Sequence, residues 1–157
     1  MTFAQKDYSE AAEISAVADL LGGKDVFNPL PKSELEAHQS LNKGLPRLAV
    51  RHFLSHLGEL RGETVTHALG MSLRTTQRHR DTPEKPLTQD QGSRIWVLAT
   101  ILNRLRQALG TFDEAQRWIV TPAMALNQMR PIDLLSTAPG RKMVDDLVTR
   151  VTYGVYT

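Results

Sequence analysis

An all-α fold is what this sequence predicts, and three observations carry that expectation. Apolar residues recur at steps of three and four along the chain, the spacing that gathers them on one side of a helix. Ser or Thr stands three residues before Glu or Gln at Ser33/Glu36, Thr88/Gln91 and Thr111/Glu114. Each such pair can satisfy the free N–H groups at a helix start. No segment alternates apolar and polar residues between hairpin turn signals, as a half-buried strand would.

The elements follow in chain order. Residues 9–21 put Ala11, Ile14, Val17, Ala18 and Leu21 on one stripe, which Gly22-Gly23 ends. Asn28-Pro-Leu-Pro31 is a linker, because two prolines do not both fit inside regular structure. Ser33 starts a short helix that closes near Gly44. Pro46 opens the next, with Val50, Phe53, Leu54 and Leu57 buried and Gly58 as its stop. Thr88 caps a long helix stepping through Ile95, Leu98, Leu102, Leu105 and Leu109. That stripe spans little more than two heptads, so it fits ordinary core packing, with a homodimer seam as the alternative. Thr111 starts a helix through Trp118 that Pro122 terminates, and Pro131 opens a short turn over 132–135. Pro139 opens the last helix, with Met143, Val144, Leu147, Val148 and Val151 facing the core.

Length and composition bound the rest. A chain of 157 residues with 41% hydrophobic and 23% charged residues is one domain, or two small ones sharing a core. Without cysteine there are no disulfides or thiolate metal sites, and no apolar run approaches the ~20 residues of a membrane span. A cytoplasmic protein without membrane or metal partners is expected. The net charge of +2 is unevenly spread. Residues 1–45 carry four Lys/Arg against seven Asp/Glu, residues 46–110 ten against five, and residues 111–157 five against five. Nine of the ten cations in the middle block are arginine, whose planar fork suits phosphates and base edges. The block fits a nucleic-acid face or a solvated basic surface.

Residues 61–80 sharpen that choice. Val65, Ala68 and Leu69 form the inner face of one short helix, Gly70 supplies a tight left-handed turn, and Met71 packs inward. Ser72 is a good N-cap for a second helix, Leu73 to Arg80, which buries Leu73 and Thr76. Arg74, Thr75, Gln77, Arg78, His79 and Arg80 are then expected outward. Arginine reads guanine, glutamine reads adenine, and threonine meets phosphate or the thymine methyl. This is a helix-turn-helix pattern, whose second helix enters the major groove of operator DNA. A plain helical hairpin with a polar surface is the competing reading.

The string RTTQRHR (74–80), then KPLTQDQGSRIWVLATIL (85–102), resembles antitoxins of the Xre–MbcA–ParS family. The C-terminal part is more similar still. Ala115 and Trp118, Pro122, a turn near Leu126-Asn127, and the box Pro131, Ile132, Asp133, Leu134, Leu135 come in the family's order. Thr137, Gly140, Val144, Arg150, Val151 and Gly154 follow. The likeness covers roughly 46–157, with Gln128 and Met129 in a turn where relatives often have glycine, and Val151 where isoleucine is usual. The resemblance implies a segment 1–45 of unassigned role, a helix-turn-helix domain (46–110) and a small helical toxin-binding domain (111–157). It further implies a partner RES-domain toxin that degrades NAD⁺ or uses it for ADP-ribosylation. The operon would be repressed through DNA, by a homodimer or a larger toxin–antitoxin assembly. Trp118 and Leu134 should pack together or nearby.

The tail fits either of two roles. Gly154 suits a helix end, leaving Val155, Tyr156 and Thr157 to project, with Tyr153 and Arg150 just before it. With the resemblance, these residues are expected to cover the toxin's NAD⁺ pocket; without it, a frayed end with Tyr153 folded back is the plainer reading. No enzyme is expected, and no cofactor. His52 and His56 sit in HFLSH, where a zinc-protease motif needs glutamate in place of Phe53, and no Gly-rich phosphate loop is present. The alternative to a toxin-neutralising protein is a stand-alone regulator whose C-terminal part serves dimerisation or a ligand.

Overall fold

The computed structural model describes the backbone of residues 2–154 and the side chains of residues 10–154 other than residue 73. Eight α-helices occur among them: α1 (Thr2–Leu20), α2 (Glu34–Lys43), α3 (Leu48–His56), α4 (Gly62–Ala68), α5 (Leu73–Asp81), α6 (Gln89–Leu109), α7 (Phe112–Ile119) and α8 (Ala138–Thr152). Single 3-10 turns lie at Gly23–Asp25, Met124–Leu126 and Pro131–Leu134. The described residues form no strand, only isolated bridges Pro46–Pro86 and Ala123–Met129.

Helix α6 is the axis, packed by α1, α2, α7 and α8. Its stripe Ile95, Leu98, Leu102 and Leu105 is buried by the chain's own helices, with Leu109 half-buried, so those positions serve intramolecular packing. One continuous core runs from Val17 and Leu21 of α1 through Phe53 and Val65 to Ile119, Val144 and Val148. The acidic N-terminal segment thus contributes side chains to the same interior as the C-terminal helices. Trp118 and Leu134 are both half-buried against that core.

The caps fall where local chemistry puts them. Ser33, Thr88, Thr111 and Thr137 each accept the N–H three residues on. Only Thr88 has the reciprocal bond, from its own N–H to Gln91. Glu36 instead accepts from Lys32 N–H, and Glu114 from Arg117.

Three details differ from the sequence expectation. Helix α3 starts at Leu48, not Pro46: Pro46 forms an isolated bridge with Pro86, and the N–H groups of Arg47 and Leu48 donate to the Lys85 and Pro83 carbonyls at 2.8 and 2.9 Å. The chain leaves α3 through extended backbone at Leu57, and Gly58 is not left-handed. Met143 is exposed rather than core-facing. The buried row of α8 is Gly140, Val144 and Val148; Met143, Leu147 and Val151 form the next row round the helix, which only grazes the core.

Candidate functional site

Helices α4 and α5 meet at the expected turn. Val65 and Leu69 are buried, Met71 turns inward, and Gly70 takes φ +73°, a left-handed conformation that side-chain-bearing residues resist. The half-buried Arg94 guanidinium lies over this turn, where a Cβ on Gly70 would meet it at 3.5 Å, and it is held by Asp90 at 2.8 Å. Ser72 caps α5 by accepting Thr75 N–H at 3.2 Å, and its hydroxyl lies 3.0 Å from that of Thr75.

Arg74, Gln77 and Arg78, at i, i+3 and i+4, are exposed and share one face of α5. Thr75 is half-buried, and Arg80 is exposed. His79 departs from expectation: only 7% of it is accessible. The reason is helical periodicity, since His79 stands three residues after half-buried Thr76 and so turns toward α3 with it. Burial first, and then the Arg47 charge, hold its pKa below the usual histidine value. The Leu73 side chain lies outside the described residues.

The C-terminal end of α5 is tied down by residues the sequence did not single out. Arg47 Nη1 donates to the Arg78 carbonyl at 3.3 Å and to the Thr82 hydroxyl. Leu87 N–H donates to the Leu45 carbonyl at 2.6 Å, closing a short ladder with the Arg47 and Leu48 bonds. Arg47 looked like one more basic residue; its role depends on a partner 31 residues away.

The second candidate surface lies on the C-terminal helices. Among the described residues the large exposed apolar side chains are Leu35, Met124, Met129, Met143 and Tyr153, four of them after residue 120. Met124 is 83% and Tyr153 78% exposed, and the 3-10 turn bearing Met124 packs on α8. Methionine's flexible thioether suits an adaptable protein-binding surface. Tyr153 is not folded back on the core. Arg150 is exposed, and Gly154 takes φ +71° with its N–H on the Val151 carbonyl at 3.1 Å, an end that breaks the helix and redirects the chain. Val155, Tyr156 and Thr157 lie outside the described residues.

Elsewhere, His52 approaches Asp25 at 3.6 Å, Phe53 between the two histidines is fully buried, and no group of metal-binding side chains occurs among the described residues. No helix of the described residues is long and apolar enough to cross a membrane.

Residues 36–100 match the family described as the antitoxin Xre-like helix-turn-helix domain, and residues 104–154 match the antitoxin Xre/MbcA/ParS C-terminal toxin-binding domain. The chain belongs to the Xre/MbcA/ParS family of antitoxins. Over 79 residues it is 25% identical to Antitoxin Xre of Pseudomonas putida, covering 50% of each. The chain thus spans about half the length of the curated relative it matches.

The turn after α7 has an unusual backbone. Asn127 and Gln128 both have positive φ, 55° and 64°, in a loop closed by Gln128 N–H on the Ala123 carbonyl at 2.9 Å and Ala123 N–H on Met129 at 3.1 Å. A left-handed backbone at 128 is what a glycine there would accommodate without strain. The glycine at 140 has an equally plain cause. A Cβ there would lie 1.9 Å from the Leu134 carbonyl oxygen, so the Pro131–Leu134 turn and α8 close only over glycine.

Proposed function

We propose that this protein is the antitoxin of a type II toxin–antitoxin pair and acts in the cytoplasm through two surfaces. Residues 46–110 bind the operator, two copies reading a palindrome with one α5 in each half-site. Residues 111–157 neutralise a RES-type toxin, which degrades NAD⁺ or transfers ADP-ribose from it, by covering its active site. The observation that carries this reading is the pair of family matches in series, the helix-turn-helix domain followed at once by the toxin-binding domain.

The geometry supports each role. Arg74, Gln77 and Arg78 stand exposed together on a capped helix beyond a tight turn, as base-reading residues must; to Ser72, Thr75 and Arg80 this reading gives the backbone phosphates. His79 supports the helix from within. At the other end Arg150 and Tyr153 are exposed beyond Val148, the last fully buried residue of α8. They lead into Gly154, Val155, Tyr156 and Thr157, which with them form the proposed plug; the methionine surface beside them adds apolar contact.

The test is co-expression with the toxin encoded beside it. Deleting residues 153–157 should leave folding and operator binding intact but release the toxin, so that growth stops and cellular NAD⁺ falls. Each lost tyrosine anchor should cost about 2 kcal/mol, roughly thirtyfold in affinity. Healthy cells with high NAD⁺ would assign inhibition to another surface. Arg74→Ala and Arg78→Ala should each weaken operator binding by about 1–3 kcal/mol, against a background that falls steeply with salt. Unchanged gel-shift affinity in both would remove α5 from the DNA interface.

A further inference from the structure

A cavity of about 240 Å³ lies between α3 and the inner side of α5. Leu48, Val50, Leu54 and Met71 give it an apolar wall. The charged residues that line it, Arg47, Arg51 and Arg80, are all cations, with no carboxylate among them. Two buried side-chain nitrogens lack a hydrogen-bond partner among the described residues, Arg47 Nε and His79 Nδ1, and both belong to residues of this wall. His79 is more than nine-tenths buried. Native proteins rarely leave such groups unmatched.

We propose that this cavity binds a small organic anion with an apolar body, an aromatic carboxylate in class, and that its occupancy weakens operator binding. The apolar wall takes the body of the ligand. Arg51 and Arg80, both exposed at the solvent edge, take the carboxylate in the paired geometry that guanidinium favours. At below the ~300–1,000 Å³ of sites for drug-sized molecules, the cavity suits one or two fused rings. Thr76, His79 and Arg80 bring α5 into the wall, two residues from Arg78. A bound anion therefore cancels positive charge beside the DNA-facing residues. The regulatory half rests on the DNA-binding reading above; the binding half does not.

The experiment uses fluorobenzoates and fluorinated indole carboxylates, each paired with its carboxamide, followed by ¹⁹F NMR on the full chain. Carboxylates should bind about tenfold or more tighter than their amides and, in parallel ¹H–¹⁵N spectra, shift the His79 imidazole resonances. Arg51→Gln, at an exposed position, should abolish that preference while circular dichroism stays unchanged; Leu48→Trp should fill the cavity and exclude both series. If no carboxylate binds, if the amides bind equally, or if Arg51→Gln keeps the preference, the site is overturned. In gel shifts, saturating carboxylate should lower operator affinity by about fivefold or more. Unchanged affinity with ligand bound overturns the regulatory half. A chain that binds carboxylate but no operator overturns the DNA reading and leaves the site standing.

Discussion

Helix α5 buries one of its described side chains, the polar His79, whereas α8 buries Gly140, Val144 and Val148, and α7 buries Ala115, Gln116 and Ile119. Helix α5 is held by directed polar ties, from Arg47 to its own C-terminal end and, beside it, from Leu45–Leu48 to Pro83–Leu87. The C-terminal half is closed by contact, down to the Gly140–Leu134 approach. A helix with the role proposed for α5 must present polar groups on most of its circumference, so it has little apolar surface to offer a core. A partner-binding unit can keep a dense interior and still expose methionines. Beyond the packing of α6 on α7 and α8, a polar tie joins the two halves at Gln116, wholly buried on α7, whose side-chain oxygen accepts the N–H groups of Glu59 and Leu60 at 2.9 and 3.1 Å.

The sharpest way to break this comparison is Gly140→Ala. The closed half has no slack for one methyl group against a backbone carbonyl, and the loss should reach or exceed the upper end of the ~1–3 kcal/mol typical of overpacking. A melting temperature within a degree of the native chain would show that the C-terminal half gives more readily than its geometry implies. Gln116→Leu tests the junction. It strands two N–H groups, one of them fully buried, for an expected loss of about 2–3 kcal/mol by chemical denaturation. A near-neutral result would mean that water reaches the Glu59–Leu60 turn.

Gln128→Gly works the other way and should stabilise the C-terminal half by up to about 1 kcal/mol, by relieving a left-handed backbone. The smallest effect belongs to His79. Its folded pKa lies below the ordinary histidine value of about 6.5, so the unfolded chain takes up the proton first as pH falls. Its contribution is complete above about 6.5 and is lost as pH drops through the lower, folded value. The native chain should thus lose more stability between pH 7 and 5 than His79→Gln does. Parallel pH profiles would place His79 in contact with solvent.

Much of this was legible without coordinates. The helices, their Ser and Thr caps, the Gly70 turn and the exposed Arg74, Gln77 and Arg78 all depend on residues within a few positions of one another, and interactions of that range are written in the spacing of the sequence. Gly140 was recognised as a position but not explained, because the carbonyl that excludes a side chain there comes from a turn whose path is set by packing. The burial of His79 depends on the α3 wall opposite it, which local sequence does not show, although its spacing from Thr76 favours the inner face. Met143 was misjudged because apolar character alone does not say which of two adjacent rows meets the core.

The sequence by itself determined an all-helical chain, a helix-turn-helix with a basic outer face, and a glycine-broken end after α8. Tertiary structure alone decided that Arg47 clamps α5, that Gln116 ties the halves across 56 and 57 residues of chain, and that a cation-lined cavity lies behind α5. The physical reason is range. Caps and periodicity act between neighbours along the chain, whereas burial, a hydrogen bond to a distant turn, and an unfilled space exist only once remote segments have packed together.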